Sequence, residues 1–408
     1  MPSRRPHALV TLPDVAWPLD GGKRLRCAGV LRGLAEVADV DLAVLHSRAP
    51  VDVAPVPPDV RVRRWLRSSP PPLPRPRAAG RALRHRLPVH VSAQRWDEVR
   101  ADLAPWADEH YDLVWFGGLD HAAALRADLR APVRVVDCDD VETEKWRAYL
   151  RGPSTGVDRS ERVQRRLELP LWGRVQRDVT SWADAVVVCS DVDAERLGGP
   201  ARVAVVPNTY PDPGPLVARR PPPDPVALVV ANYATPQNLD AARAAALGVL
   251  PALRSRAPAA RLRLVGREAD RLDDLRGLDG LDLVGPVDSV AGELAGATAV
   301  VVPMRFGGGT RLKVLEAFAH RVPVVSTALG CEGVGASDGE HLLVRESADA
   351  AADALLDLHR DPRGAEEMAA RARGLYEARF RPEASTRAVA DLVGELLPGD
   401  VRGGRSPH

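Results

Sequence analysis

The 408-residue chain has no long apolar run, almost no net charge, only three lysines and four isolated cysteines, and each shortage narrows what it can be. No stretch approaches the roughly 18 consecutive apolar residues that a membrane-crossing helix needs. Arg4 and Arg5 precede an apolar stretch, but residues 8–12 are too short for a signal-peptide core and Asp14 follows at once. A formal net charge of +1 argues against a general nucleic-acid binder, and a hydrophobic fraction of 45% argues against a disordered chain. Cys27, Cys138, Cys189 and Cys331 form no C-x-x-C or Cys/His ligand spacing. They read as reduced core thiols of a cytoplasmic protein.

Three nucleotide motifs are missing as well. No G-x-G-x-x-G follows the first strand, which removes the main support for a nicotinamide cofactor. No lysine followed by Ser or Thr closes a G-x-x-x-x-G spacing, so there is no Walker loop. No Asp-x-Asp follows a nucleotide-binding strand, and the carboxylates from Asp137 to Asp140 are the one spacing that could imitate it. The expectation is a site that works without a metal or cofactor.

What remains is a long alternation of strand and helix patterns. Residues 8–12, 40–46, 111–116, 133–137, 185–189 and 203–206 read as strands, and so do 226–231, 261–265, 300–302 and 322–326. Helical patterns lie between most of them, which predicts parallel, doubly wound sheets whose ligands bind beyond the carboxyl ends of the strands. A proline-rich stretch separates the two series. The boundaries read as an N-terminal domain over 1–208, a linker over 209–225 and a C-terminal domain over 226–380. Helices are expected over 348–359, 365–380 and 382–397, followed by a disordered tail over 398–408.

The richest local signal is TAVVVPMRFGGGTRLKVLEAFAHRVPVVSTALGCEG, residues 298–333. A buried strand ends at Pro303, a glycine turn spans Gly307, Gly308 and Gly309, and an apolar-periodic helix follows with Thr310 as its expected N-cap. Free amides and the positive end of a helix dipole make such a turn an anion site. Arg305, Arg311 and Lys313 crowd it, as a multiply charged anion such as a diphosphate would require. Glu316 lies about 40° from Leu312 at 100° per residue, on the inward side, and roughly 9 Å along the axis from the cap. That is a suitable distance for accepting ribose hydroxyls. The competing reading is a solvated turn with Lys313 and Glu316 as an ordinary surface pair.

Four other stretches invite function. Gly21 and Gly22 open a helix carrying Lys23, Arg24 and Arg26, either as part of a phosphate-facing turn or as a helix start with exposed cations. After the strand ending at Asp137, VVDCDDVETEKWRAY places Asp137, Asp139 and Asp140 together, where like charges raise one another's pKa; Asp139 or Asp140 could equally be a helix N-cap. Gly266 and Arg267 follow a strand, as a base contact or a simple turn. The ten arginines between Arg61 and Arg95 have no carboxylate among them. So long a one-signed stretch is expected to stand away from the core, either as a solvated basic loop or as a peripheral contact with an anionic membrane through residues 77–87.

PMRFGGGTRLKVLEAFAHRVPVVST resembles the C-terminal signature of the retaining glycosyltransferases of family 4, in the subgroup with a GGGTRLK turn, and DCDDVETEKW is similar to a stretch of its bacterial exopolysaccharide-type branch. The resemblance implies an α/β GT-B fold, two Rossmann-like doubly wound domains facing across a cleft, with the last helix, 381–397, crossing back to the N-terminal domain. It implies transfer of a sugar from a nucleotide-diphosphate donor to a glycan, lipid-linked or small-molecule acceptor, in bacterial polysaccharide biosynthesis. Carried over residue by residue, donor contacts fall on Gly21, Gly22, Arg24, Gly266, Arg305, Gly308, Gly309, Thr310, Arg311, Lys313 and Glu316. Catalytic roles fall on Asp137, Asp139, Asp140, Arg311 and Lys313.

The chain departs from the pattern in three places. Many relatives have a histidine where Asp139 stands. Asn232, Gln237 and Asn238 occupy the turn where much of the family has a phosphate-binding lysine, and Gly308 replaces the first glutamate of an E-x7-E pair whose second member is Glu316. A nucleotide-sugar 2-epimerase and a non-catalytic nucleotide-sugar-binding subunit are the alternative readings.

Overall fold

Residues 4–47, 49–50, 54–152, 159–219 and 222–397 are described in a computed structural model. Short β-branched runs, each followed by a return segment, form two all-parallel sheets. The first contains β1 (His7–Leu12), β2 (Asp39–Leu45), β3 (Arg64–Ser68), β4 (Leu113–Phe116), β5 (Val133–Asp139), β6 (Ala185–Val188) and β7 (Arg202–Val205), in the spatial order 3-2-1-4-5-6-7. The second contains β8 (Val226–Val230), β9 (Arg261–Val265), β10 (Leu281–Gly285), β11 (Ala299–Val302), β12 (Val324–Ser326) and β13 (Leu343–Val344), in the order 10-9-8-11-12-13.

Both sheets therefore reverse direction beside their first strand. Val10 pairs with Leu42 on one side and Trp115 on the other, and Leu228 pairs with Arg263 and Val300 in the same way. Such a switch point leaves a crevice at the carboxyl ends of the two central strands. Among the described residues no helix is long and apolar enough to cross a membrane.

Contacts divide the chain into two compact units. Unit 1 lies within Met1–Arg147, Arg162–Thr209 and Pro382–His408, and unit 2 within Ala148–Glu161 and Tyr210–Arg381. Ala148–Glu161 thus groups with unit 2, although it lies inside the expected 1–208 domain. The helix Pro382–Leu396 packs in unit 1 against the helix Gly22–Val37. Their close approach depends on two glycines four residues apart: a Cβ on Gly29 would sit 2.4 Å from Ser385 Oγ, and one on Gly33 would sit 2.5 Å from the Thr386 carbonyl oxygen. Neither contact leaves room for a methyl group. Gly33→Ala is expected to destabilise unit 1 by about 1–3 kcal/mol through overpacking, read as a lower urea midpoint with an unchanged slope. The expected tail over 398–408 lies outside the described residues.

The arginine-rich stretch differs from its expectation. Its first part is folded into the sheet as β3, and Arg63 Nε and Arg64 Nε each donate to Asp41 at 3.0 Å. Asp41 is fully buried on β2 and also accepts from Tyr111 Oη at 2.9 Å. Burial alone would raise its pKa, but the bonds from Tyr111, Arg64 and Arg63 outweigh it and hold the carboxylate below its usual range. These two arginines are structural. The stretch stands out from the protein only further along, from Arg75.

Candidate functional site

In unit 2 the switch point lies between β8 and β11, and both return segments bring polar side chains to it. After β8 the turn is shaped by Asn232 and Asn238: Ala234 N donates to Asn232 Oδ1 at 3.1 Å, and Asn238 Nδ2 donates to the Asn232 carbonyl at 2.8 Å. After β11 comes the glycine turn, with Gly307 at φ 143° and Gly309 at φ 70°, backbone that side-chain-bearing residues rarely adopt. The helix Leu312–Ala319 then starts with Arg311, not Thr310, at its N-cap, and no side chain caps it. Val314 N–H turns back to the Arg311 carbonyl at 2.9 Å, so within the first turn the amides of Leu312 and Lys313 are the ones left for another acceptor.

Lys313 joins the two segments. Its Nζ donates to Asn238 Oδ1 at 2.6 Å, its one hydrogen bond among the described residues. Burial, reinforced by the nearby Arg311 charge and opposed by Glu316, pulls its pKa down to about 8. An ammonium set back from water against a neutral amide oxygen is poorly compensated. A phosphate oxygen would correct that.

The neighbouring cations are placed differently from the expectation of a three-cation grip. Arg305 is bound to the buried Asp240, with Nε donating to Oδ2 at 2.9 Å and Nη2 to Oδ1. Arg311 is 4% exposed and turns back beneath the glycines, donating from Nη1 to the Gly308 and Gly309 carbonyls and from Nε to the Leu329 carbonyl at 3.1 Å. It braces the turn from the carbonyl side, opposite in polarity to the amides. Among the described residues, Lys313 is the cation of the three whose hydrogen bond goes to a neutral side chain.

Glu316 does have an inward partner, Tyr210, whose Oη donates to Oε1 at 2.5 Å. Tyr210 is itself held by the Phe380 carbonyl, which accepts from its N–H at 3.0 Å, and by Tyr376 Oη, which donates to its carbonyl at 3.0 Å. Burial raises the Glu316 pKa, against the opposing effects of Tyr210 and Lys313. Gly266 is fixed by space: a Cβ there would lie 1.7 Å from the Ala231 carbonyl oxygen, so the backbone after β9 lies directly against that after β8.

In unit 1 the switch point lies between β1 and β4, where Gly117 N donates to the Thr11 carbonyl at 2.8 Å. A cavity of about 560 Å³ opens there, lined among others by Lys23, His90, Asp120, Asp137, Asp139 and Lys145. Asp137, expected to be a catalytic carboxylate, is buried and held by Arg26, whose Nε lies 3.0 Å from both of its oxygens. Arg26 Nη1 reaches the Val206 carbonyl and Asn208 Oδ1 at 3.0 Å each. Burial still leaves the Asp137 pKa raised, with Arg26 opposing.

Asp139 stands half-exposed in left-handed backbone at φ 53°. It accepts from Asn208 Nδ2 at 3.0 Å, while its own N–H donates to Asp137 Oδ1 at 3.1 Å. Asp140 lies 3.6 Å from Lys145 Nζ, which also bonds Glu142 at 2.9 Å. Gly21 is the N-cap of the Gly22–Val37 helix in extended backbone, so its conformation does not demand glycine. Arg24 pairs with Asp20 at 2.9 Å and lies 3.6 Å from Asp14. The structure therefore gathers Asp137, Asp139 and Asp140 in unit 1, and Arg311, Lys313, Glu316 and the glycine turn in unit 2.

Tyr210, Asp240 and Asp120 were not singled out in the sequence. Asp120 lies 3.9 Å from His90 Nε2 in the wall of the unit 1 cavity. Nothing local marks any of the three, because each matters through a partner on another element.

Residues 224–361 match the family model described as glycosyl transferases group 1. No protein of curated function matches the chain by sequence. Among solved structures, the chain is similar to sucrose-phosphate synthase from Thermosynechococcus elongatus, with 18% identity over 96% of this chain and 99% of that one and a TM-score of 0.65. It is also similar to HepE from Anabaena, solved in complex with UDP and glucose, with 14% identity over 95% and 99% and a TM-score of 0.62. A glycosyltransferase from Rickettsia africae has 10% identity over 97% and 99%, with a TM-score of 0.63. Two parallel sheets of Rossmann-like order and these likenesses make the fold GT-B.

Proposed function

We propose that the chain is a glycosyltransferase that moves a sugar from a nucleoside-diphosphate donor to an acceptor hydroxyl, with retention and without a bound metal. The observation that carries the reading is Lys313, a partly buried ammonium held by a neutral amide at the switch point of unit 2, beside an uncapped helix start and a glycine turn. The group 1 match over 224–361 supports it, and so does the resemblance of the GGGTRLK stretch. In this reading the diphosphate docks against the first-turn amides and Lys313, Glu316 accepts the ribose hydroxyls, and the backbone around Gly266 receives the base.

Breaking the sugar–phosphate bond places negative charge on the departing diphosphate, and Lys313 and the amides meet that charge where it develops. Arg311 keeps the amides in position by holding the carbonyls on the other side of the turn. The cavity of unit 1 takes the acceptor, with Asp139 and Asp140 as the hydroxyl-binding carboxylates and Asp137 as their support through Arg26. The GT-B fold alone does not decide the reaction.

The test is calorimetric titration with UDP, GDP and ADP, followed by a donor-consumption assay on whichever binds. The expected pH dependence has a definite sign. Lys313 must be charged to hold phosphate, and it deprotonates through about pH 8 in the free protein, so binding is flat below pH 7. It weakens roughly tenfold by pH 9, with proton uptake near pH 8. Because the native pKa lies below that of an unfolded lysine, the free protein gains stability as pH rises from about 8 to 10.4. A binding constant independent of pH from 7 to 9, without proton uptake, would remove Lys313 from the donor site.

A further inference from the structure

Unit 1 carries an exposed surface that the transfer reaction does not use. The helix Arg75–His85 turns only Ala78 and Ala82 fully inward. Leu83 is 84% exposed, more than any other exposed large apolar side chain among the described residues. At 100° per residue Leu83 shares its face with Pro76, Ala79 and Gly80, all exposed. Arg77 and Arg84 flank this strip on one side and Arg75 on the other, with Arg86 just past the helix end. The guanidinium groups of these four arginines are exposed and make no hydrogen bond or ion pair with any described residue.

A second helix repeats the combination. On Arg159–Trp182, Val163 and Leu167 lie one turn apart and are 60% and 70% exposed, with the exposed Arg166, which has no ion-pair partner among the described residues, beside them. Both helices are anchored to the same short segment, Val89–Ala93. The first packs on it directly, and Glu168 of the second accepts the Val89 N–H at 3.1 Å. Elsewhere the chain pairs arginines with carboxylates freely, as at Arg63, Arg64, Arg261 and Arg305. The five arginines around these three aliphatic side chains have no such partner among the described residues.

We propose that unit 1 docks on an anionic phospholipid surface, inserting Leu83, Val163 and Leu167 at the headgroup level while Arg75, Arg77, Arg84, Arg86 and Arg166 meet lipid phosphates. A soluble polyanion would engage the arginines and leave the aliphatic side chains in water. A bilayer interface satisfies both, because it offers negative charge above an apolar layer. The surface lies on the elements that lead into Val89 and His90 of the unit 1 cavity wall.

The test is co-sedimentation of the full chain with vesicles of phosphatidylcholine alone and of phosphatidylcholine with 30% phosphatidylglycerol. Binding is expected on the anionic vesicles, falling with salt. Arg77→Gln and Arg84→Gln should each lower it about fivefold, the equivalent of about 1 kcal/mol per arginine. Leu83→Ser and Leu167→Ser should also lower it, because the aliphatic side chains enter the interface. Unchanged thermal unfolding and unchanged nucleotide binding in each variant would show that the loss is confined to this surface and independent of the donor site. Absence of binding to anionic vesicles at low salt overturns the proposal. So does binding that the two serine variants leave intact, which would mark a merely electrostatic polyanion contact.

Discussion

Lys313→Met is expected to weaken nucleoside-diphosphate binding about a hundredfold while leaving the unfolding midpoint at pH 7 unchanged or slightly raised. The two halves of the result have one cause. In the free protein the ammonium is partly desolvated and its hydrogen-bond partner is the neutral Asn238 oxygen at 2.6 Å, so burial has lowered its pKa to about 8. Replacing it with an apolar chain of similar length removes that cost, and in the bound state it removes a charge-assisted hydrogen bond worth about 1.5–3 kcal/mol. A purely structural lysine would behave in the opposite way, with stability lost and affinity kept. Titration calorimetry and thermal melts on the same preparation separate the cases. Arg311→Ala provides the contrast: it should lower stability and affinity together, since Arg311 holds the carbonyls of the glycine turn.

Arg26→Met is expected to destabilise unit 1 by about 3–5 kcal/mol, because it takes the counter-charge away from the buried Asp137 carboxyl and leaves it the Asp139 N–H as its remaining described donor. The pair lies deep, with Arg26 8% and Asp137 6% exposed, and Arg26 also holds the end of β7 through Val206 and Asn208. The double variant Arg26→Met/Asp137→Leu should recover much of that loss, since well-packed apolar replacements of a buried pair are often neutral. Denaturant unfolding of the two single variants and the double variant measures the coupling. Asp137→Asn should likewise lose stability. If it instead kept full stability and lost only turnover, Asp137 would be a catalytic group in its own right and Arg26 merely its neighbour.

Much of the fold could be read from alternation alone. The strands through Val114 and Val187 are continuous apolar runs, and those through Val10, Leu42 and Val135 are largely apolar with polar interruptions at Thr11, Asp41 and Arg134, as expected of parallel strands buried on both faces. Strand β3 escaped because its sequence, Arg64-Trp65-Leu66-Arg67-Ser68, belongs to a sheet edge and reads as part of a basic loop. Strands β10 and β13 are an edge and a two-residue pairing, too weakly patterned to stand out. The glycine turn and the inward position of Glu316 were legible because helix geometry determines them locally. What was not legible is who holds whom: Arg305 with Asp240 and Arg26 with Asp137 are ion pairs between distant parts of the chain, and the hydrogen bond from Tyr210 to Glu316 likewise joins distant parts. A sequence shows that a carboxylate needs a partner, but the topology of the sheet chooses it.

The central claim is that the diphosphate of the donor sits at the unit 2 switch point. Its most direct test is a crystal structure of the protein with UDP. The account predicts phosphate oxygens within about 3 Å of Lys313 Nζ and of backbone amides in the first turn of the Leu312–Ala319 helix, with the ribose hydroxyls on Glu316. A diphosphate bound elsewhere, with Lys313 still held by Asn238 alone, would contradict it.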